Sequence, residues 1–504
     1  MKRGAPVLGI LVTFLILASS AFAQTPTASV VGRVTDASGA VLPGVTVIIT
    51  NPDTNRSTEA VTNGDGDYTI LFLNPARYVL EANLAGFRTY KRSVFTLEVE
   101  QTMRLDVRME LGELTETVNV TEAAPMLNTE TSVRGDVTTK AEITELPLAD
   151  RSFANLAFLT GSVTPKTDGA DGAFAVNGAR ADNAGFLLDG MNNTQRRNTN
   201  ALMNPSVEGV QEFKMMTSGF SAEYGRYAGG MLSVVTKSGT NKLRGSAFEF
   251  VRDDALDAKG YFEPEKSDLS RHQFGATAGG PLVIPGLYDG RNRTFFMATW
   301  ESLRSTAGQT QLQLVPTPAM LKGDFAGAKN AAGQPISIID PLTKQPFPNN
   351  QIPANRLNPV ALNLVEFYPA PNLSGDSLYN YVAQGTGEDS YDNFSIKVDH
   401  ALGATDRLSG SFFYRPSDSC DPLGNKGQLP YFGTCNPTSQ LLTYAKYLKT
   451  ISSSMFLEAS VNFSRRTNNE HWPESGTKDW AAETGFYGTT TDPIASGPPN
   501  TTIT

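Results

Sequence analysis

The sequence predicts a mainly β protein with three parts: an N-terminal Ig-like β-sandwich, an α+β unit, and an antiparallel sheet that alternates like transmembrane β-barrel strands. Short strand-like runs with frequent turns extend to residue 111. The next stretch, about 110 residues long, mixes helical spacing with strand runs and glycine turns. Beyond Lys242, longer runs place apolar and polar side chains on opposite faces. A chain of 504 residues is long enough for several such units.

Composition excludes two broad classes of protein. Hydrophobic residues make up 40% of the chain, which argues against disorder throughout. The formal net charge of −9 argues against a general nucleic-acid binder. The mean hydropathy of −0.24 resembles that of soluble proteins. Transmembrane barrels give similar values because every second strand residue faces a polar lumen, so composition alone does not separate the two cases.

The first 23 residues are predicted to be a signal peptide. Lys2 and Arg3 precede a mostly apolar stretch over residues 7–17, and Ala21-Phe22-Ala23 matches a cleavage pattern before Gln24. The apolar stretch is shorter than the roughly 20 residues that a membrane-spanning helix needs. No later segment approaches that length, so any membrane crossing must use β-strands.

Residues 28–111 are predicted to form the sandwich. Asn63-Gly64-Asp65-Gly66 lies between two strand-like runs and signals a hairpin. This segment resembles the carboxypeptidase regulatory-like domain, which has a carbohydrate-binding-like fold. The matching stretches are Gly32-Arg33-Val34, Pro43-Gly44-Val45, residues 63–68 and Gly86-Phe87.

Residues 112–124 form a short polar linker after the sandwich. Within it, Thr117-Val118-Asn119-Val120-Thr121 alternates like a β-strand but has no obvious partner in the sequence. Two interpretations stay open on pattern alone. The segment is either an exposed strand available for β-augmentation by another protein, or the last strand of the sandwich.

The barrel-like region begins at residue 239 and extends to residue 504. In residues 392–400, DNFSIKVDH, the apolar residues alternate with Ser395, Lys397 and Asp399. In residues 453–465, SSMFLEASVNFSR, the same alternation recurs. A soluble sheet with one solvent-exposed face has the same pattern, so alternation alone does not distinguish it from a transmembrane barrel. Residues 305–385, rich in proline and in Asn/Gly turns, are expected to form one long loop.

Residues 146–414 resemble a TonB-dependent outer-membrane receptor of the Oar-like subgroup. The first motifs lie in residues 125–238, and the family calls this unit the plug. The matching stretches, in chain order, are Leu146-Pro147-Leu148 with Arg151, residues 176–180, residues 186–190, residues 222–225, Gly229-Gly230, residues 235–241, residues 279–282, Gly323-Asp324-Phe325 and residues 356–359. Together they cover most of the mature chain in the family order.

The resemblance implies a plug that blocks the first strands of a large antiparallel transmembrane β-barrel in the outer membrane. It also implies that an inner-membrane energy-coupling protein of the TonB type pulls on a short box before the plug, for which residues 117–121 are the candidate. The sequence does not identify the ligand, for which oligosaccharides, siderophores and peptides are all candidates. It also does not distinguish import from export. The plug residues that carry the resemblance are Asn177, Gly178, Arg180, Asp189, Gly190, Tyr224, Gly225, Gly229, Gly230, Thr236, Gly239 and Asn241.

Strand number is where the sequence departs from the family. Plugged barrels have about 22 strands, whereas the sequence from Lys242 onward offers about seven candidates. The final residues, ASGPPNTTIT, lack the terminal aromatic strand expected of such barrels. The sequence is therefore predicted to be a C-terminally truncated piece of a longer protein. The rival hypothesis is a secreted or surface carbohydrate-binding, adhesin-like protein built around the sandwich.

Chemistry-bearing motifs are scarce. The sequence contains no H-E-x-x-H, P-loop or G-x-S-x-G motif, and its three histidines are dispersed, so neither an enzyme, a cofactor nor a metal site is predicted. Cys420 and Cys435 lie close together in an exported chain, which favours a loop disulfide over a metal site or a reactive thiol.

Overall fold

The structure is a computed structural model that describes residues 27–112, 117–120, 130–146, 148, 151–165, 174–180, 183–195, 200–221, 224–225, 227–259, 266–330, 333–373, 379–403, 405–423, 433–452, 455–471 and 479–485. The predicted signal peptide lies outside these residues. Among the described residues, no helix is long and apolar enough to cross a membrane.

The first unit is a sandwich of two sheets, as the turn-rich pattern predicts. Its strands are β1 (Ala28–Thr35), β2 (Thr46–Asn51), β3 (Arg56–Val61), β4 (Asp67–Leu73), β5 (Ala76–Asn83), β6 (Thr89–Leu97), β7 (Thr102–Arg104), β8 (Val107–Arg108) and β9 (Thr117–Val120). One sheet has the order β4-β1-β7, with β8 also paired with β1, and the other has the order β3-β2-β5-β6-β9. Alternate residues such as Val30, Val47 and Leu80 are fully buried between the sheets.

The second unit is α+β, as predicted, and we keep for it the name plug that the resemblance described above suggests. Its elements are β10 (Arg134–Thr139), α1 (Lys140–Glu145), a 3-10 helix (Phe153–Leu159), β11 (Val163–Pro165), β12 (Phe174–Val176), β13 (Ala184–Leu188), β14 (Met191–Asn192), a short 3-10 turn (Val207–Gly209), β15 (Val210–Ser218) and β16 (Gly230–Thr236). The main sheet has the order β10-β15-β16-β13-β14. Strand β13 runs parallel to β16, and every residue of both strands is buried. Because both faces of these strands are covered, their sequences are continuous and mostly apolar instead of alternating.

The third unit is an antiparallel sheet that forms a wall beside the plug. Its long strands are β17 (Arg244–Asp253), β18 (Leu269–Pro281), β21 (Thr294–Gln313), β22 (Tyr381–Ala401), β23 (Asp406–Asp421), β25 (Thr438–Ser452) and β26 (Met455–Asn468), paired in that order. Short strands β19 (Val283–Ile284), β20 (Tyr288–Asp289) and β24 (Thr434–Cys435), and helices α2 (Pro359–Val365) and α3 (Trp480–Thr484), lie in the connections.

The two faces of the wall differ as the alternation predicts. Phe394 and Ile396 on β22 point away from the plug and are each 43% exposed. Lys397, the next residue along the strand, points toward the plug. The paired registers carry the pattern across strands, because Ile396 lies opposite Phe412. The exposed aromatic and aliphatic side chains therefore form one continuous outer face, and the polar side chains face the plug.

The wall strands are longer than the sequence suggested. Strands β21 and β22 contain 20 and 21 residues, whereas a membrane-crossing strand needs about 9–11. The connection between them spans residues 314–380 and is therefore shorter than the loop expected over residues 305–385. The added strand residues are mostly polar, so they lack the apolar alternation that signals a membrane strand, and the prediction counted them as loop.

The wall has a short-turn end and a long-loop end. The turns after β20 and β22 are short, while residues 254–268, 314–380 and 422–437 connect strands at the opposite end. The sandwich lies at the short-turn end. There, the Asn55 side chain donates to Asn292, and Arg56 donates to the carbonyl of Gly403. In transmembrane barrels the short turns face the periplasm.

Candidate functional site

The plug is anchored to the wall by a buried carboxylate that follows β13. The two Asp189 oxygens accept hydrogen bonds from the backbone and hydroxyl of Thr236 at 2.9 and 2.6 Å, and from Lys397 Nζ on the wall at 3.1 Å. The Asp189 side chain is 3% exposed and that of Lys397 is 11% exposed. A buried ion pair of this kind is costly to break by removing one partner, since the other charge is left without compensation.

A second contact, which the sequence reasoning did not identify, fixes the loop before β15. Glu301 on β21 is 3% exposed and accepts hydrogen bonds from the plug residue Ser206 and from Gln273. On β22, Asn393 donates to the carbonyl of Asn204. Alternation places these side chains on the plug-facing side of the wall. Their partners lie far away in the sequence, so no local signal could have paired them.

Two glycines of the plug motif are required by close backbone contacts. Gly230 has φ +125°, and a Cβ there would lie 2.8 Å from the Val176 side chain. A Cβ at Gly239 would lie 2.3 Å from the carbonyl oxygen of Phe296 on β21. Only glycine fits both positions without a shift of neighbouring atoms. The chain can therefore leave β16 and run directly against the wall before β17 begins.

The other motif residues occupy turns and the ends of strands rather than one pocket. Asn177 and Gly178 form a positive-φ turn after β12, and the Asn177 amide donates to Thr217 O at 2.8 Å. Gly190 continues the turn at Asp189, while Gly229 is buried beside Gly230. Arg180 and Gly225 are exposed turn residues, and the Asn241 side chain accepts from the Asn292 backbone at 2.8 Å. The motif thus specifies the backbone shape of the plug.

The sandwich contacts the plug through the connection between β6 and β7. Glu212 on β15 is 5% exposed and accepts a hydrogen bond from the backbone N–H of Val99. Tyr224 donates to Glu100 Oε1 at 2.7 Å, and Lys214 donates to the Glu100 carbonyl at 3.1 Å. Burial, with the nearby charge of Glu98, raises the pKa of the Glu212 carboxyl to about 7. Burial also lowers the pKa of Lys214.

The candidate box is placed at an edge of the sandwich. Strand β9 pairs in parallel with β6, with Val118 opposite Tyr90. Thr121, the last residue of the candidate, lies outside the described residues. Of the two interpretations of this segment, its backbone pairing matches the last strand of the sandwich. In the described part of the chain, β9 pairs only with β6, so its other edge is not occupied by a strand.

Cys420 and Cys435 are joined by a disulfide with a sulfur–sulfur distance of 2.06 Å. The two residues are direct partners of β23 and β24, at the long-loop end of the wall. Among the described residues, no group of three or more His, Cys, Asp or Glu side chains is placed to hold a metal ion.

Comparison with known proteins identifies the family. A model described as an outer membrane beta barrel domain matches residues 235–504, which is more than half of the chain. This chain belongs to that family. It is an outer-membrane protein, and its N-terminal unit matches the carboxypeptidase regulatory-like domain over residues 29–110.

Individual relatives agree with this assignment. The TonB-dependent transporter Oar of Myxococcus xanthus is 30% identical over 293 residues, which make up 54% of this chain and 27% of that protein. The chain therefore spans about a quarter of the length of this curated relative. The resemblance to an Oar-like receptor inferred from the motifs is confirmed.

Similar solved structures include a transporter and a receptor. The outer membrane transporter YddB from Escherichia coli has a TM-score of 0.43 at 11% identity, over 67% of this chain and 40% of that one. The siderophore receptor PiuA from Acinetobacter baumannii has a TM-score of 0.35 at 13% identity, over 69% of this chain and 47% of that one.

Proposed function

We propose that this protein acts as a TonB-dependent outer-membrane transporter, which moves a bulky ligand through a plugged barrel when an inner-membrane protein pulls on it. The observation that carries the proposal is a hydrophobic core shared by plug and wall. Phe413, Leu442 and Tyr444 of the wall are buried in the same cluster as the plug residues Phe186 and Phe213. A plug packed in this way closes the space beside the wall, so transport requires work to move it.

Strand β9 is the proposed point of attachment for the energy-coupling protein. Its position between the sandwich and the plug fits a segment that transmits a pull to the plug. An edge strand also offers unpaired backbone groups to which a partner's strand can add. Strand addition depends on backbone hydrogen bonds, so the partner would recognise residues 117–120 mainly through their extended conformation.

The ligand is proposed only as a class. Oligosaccharides, siderophores and peptides are all compatible with a plugged barrel, and import and export are both compatible with the plug contacts. The curated relative is a transporter by name, which indicates a non-enzymatic role. Side chains in the plug loops and in the long connections of the wall are the expected sources of ligand specificity, because binding residues concentrate on loops.

Site-directed disulfide trapping tests the attachment point. Val118→Cys in the full-length protein is expected to form a covalent adduct with cysteine variants of the host's TonB-type protein in intact cells. Val61→Cys is the matched control, since Val61 lies on β3 at the opposite edge of the same sheet and is 50% exposed. Equal trapping at both positions, or trapping at Val61 alone, would contradict the proposed box.

A further inference from the structure

A cavity of about 640 Å³ lies where the sandwich, the plug and the wall meet at the short-turn end. The sandwich contributes Arg56 and Asn74, the plug contributes Asp189 and Thr236, and the wall contributes Arg407 among the lining residues. This junction chamber, as we call it, has the size of typical small-molecule sites. It is separate from the long connections at the other end of the wall.

The lining of the junction chamber is strongly cationic. Among the described residues, it contains eight lysine and arginine side chains but four carboxylates. Two of those carboxylates are already engaged within the chamber, since Asp53 pairs with Arg77 and Asp189 pairs with Lys397. A third, Glu212, is bonded to the sandwich backbone. The positive charge of the remaining side chains is therefore poorly compensated by the protein itself.

Two guanidinium groups from different units line this space, and their hydrogen bonds go to carbonyl and amide oxygens. Arg56 donates to the carbonyl of Gly403, and Arg407 donates to the carbonyl of Phe72 and to the Asn74 side chain, all at 3.3 Å. Neither forms an ion pair within the part of the chain that the structure describes. Burial and the like charge of Arg407 lower the pKa of Arg56, while the negative charge of Asp399 acts in the opposite direction.

We propose that the junction chamber is an anion-binding site for a small ligand with several carboxylate or phosphate groups, held between Arg56 of the sandwich and Arg407 of the wall. Planar guanidinium groups match the oxygens of such anions with paired hydrogen bonds. A bound anion offsets the repulsion between the two arginines and joins the sandwich to the wall. This site goes beyond the proposed transport function and does not depend on it.

Calorimetric titration of the purified full-length protein in detergent tests the site. Citrate and inorganic pyrophosphate serve as probes at constant ionic strength, and at least one is expected to bind saturably. Arg56→Gln and Arg407→Gln are each expected to weaken binding about tenfold or more, as for the loss of hydrogen bonds to a charged group. The stronger probe identifies the preferred group, carboxylate or phosphate.

Matched controls separate the site from general charge effects. Arg88→Gln removes the same charge from the sandwich, where Arg88 pairs with Glu110. Arg252→Gln does so near the long-loop end of the wall, where Arg252 pairs with Asp257. Both variants are expected to bind as the unaltered protein does. Saturable binding by neither probe, or equal losses in the control variants, overturns the proposal.

A variant expected to bind the anion more tightly distinguishes an effect on the site from a loss of binding through misfolding. Asp399 lines the chamber, accepts a hydrogen bond from Ser409 at 2.7 Å and attracts Arg56 electrostatically. Asp399→Asn keeps an acceptor for Ser409 but removes a negative charge, so anion binding is expected to tighten severalfold. Unchanged or weaker binding in this variant contradicts the site. Because binding is measured without an energy-coupling protein, this outcome is independent of any failure of the transport proposal.

Discussion

At the scale of single residues, the ion pair of Asp189 with Lys397 is one of the contacts that hold the plug against the wall. Asp189→Asn keeps a side chain of the same shape but leaves the buried Lys397 ammonium without its ion-pair partner. The free energy of unfolding is expected to fall by about 3–5 kcal/mol, the usual cost of breaking a buried pair. Urea titration of the detergent-solubilised protein measures this change.

The double variant Asp189→Asn with Lys397→Met supplies the control for that experiment. Removing both charges leaves no buried ion unpaired, so stability is expected to recover most of the loss. If the double variant is no more stable than Asp189→Asn, the pair does not account for the effect.

Glu212 is expected to make the contact between sandwich and plug sensitive to pH. Its folded-state pKa of about 7 lies above the ordinary 4.5. The corresponding stabilisation is fully present below pH 4.5 and is lost as the pH rises through 7. A shift of this size corresponds to a change on the order of 3 kcal/mol. Thermal unfolding followed at several pH values is expected to show a falling midpoint over this range.

Glu212→Gln tests whether this carboxyl is the source of the pH dependence of stability. Glutamine retains an oxygen that accepts the hydrogen bond from Val99, but it does not titrate. The variant is expected to lose most of the pH dependence between 4.5 and 7 while remaining as stable as the unaltered protein at pH 4.5. A profile with the original slope would assign the dependence to other groups.

At the scale of elements, the disulfide closes a loop at the long-loop end of the wall. Cys420 and Cys435 are 15 residues apart, and a closed loop of this length restricts the unfolded chain by about 3 kcal/mol. Strands β23 and β25 pair with each other over the preceding residues, from Asp406 to Ser417. Cys420→Ser with Cys435→Ser is therefore expected to increase proteolytic cutting between residues 421 and 434 without altering the heat-resistant mobility of the barrel on gels. Loss of that mobility would show that the disulfide supports the wall itself.

The elements also show what the sequence can and cannot predict. Alternation around Phe394 and Lys397 correctly separated the outer face of the wall from the face that lines the plug, because strand periodicity is local. Neither the contact of Lys397 with Asp189 nor that of Glu301 with Ser206 was predictable, since each joins positions about 100 or more residues apart. The pairing of β9 with β6 was one of two interpretations, because an alternating segment does not reveal its partner.

At the scale of the whole molecule, the sandwich and the plug have separate hydrophobic cores. Leu80 belongs to the sandwich core, while Phe213 belongs to the core shared by plug and wall. Both side chains are fully buried. Leu80→Ala is expected to destabilise the sandwich by about 2–5 kcal/mol and Phe213→Ala the plug by about 3–5 kcal/mol. Calorimetric scanning of each variant is expected to move one transition and leave the other in place.

Simultaneous unfolding of the sandwich and the plug would contradict the division into two separate hydrophobic cores. If either substitution lowers both transitions equally, the contacts around Glu212 and Arg56 join the units into one cooperative structure. The unaltered protein and a surface substitution such as Glu59→Gln, at an exposed position of the edge strand β3, provide the baseline for the comparison.

The sheet order of the plug has a mechanical consequence. Strand β10 follows β9 along the chain and, among the strands that the structure describes, lies at the edge of its sheet beside β15. Tension applied at β9 reaches Arg134 first and the pair of Thr139 with Glu212 last. Where this tension acts across the sheet, the paired residues of β10 and β15 separate one pair at a time from Arg134 onward, whereas tension along β10 loads all of the pairs together. The same sheet keeps β15, β16 and β13 together while its edge gives way.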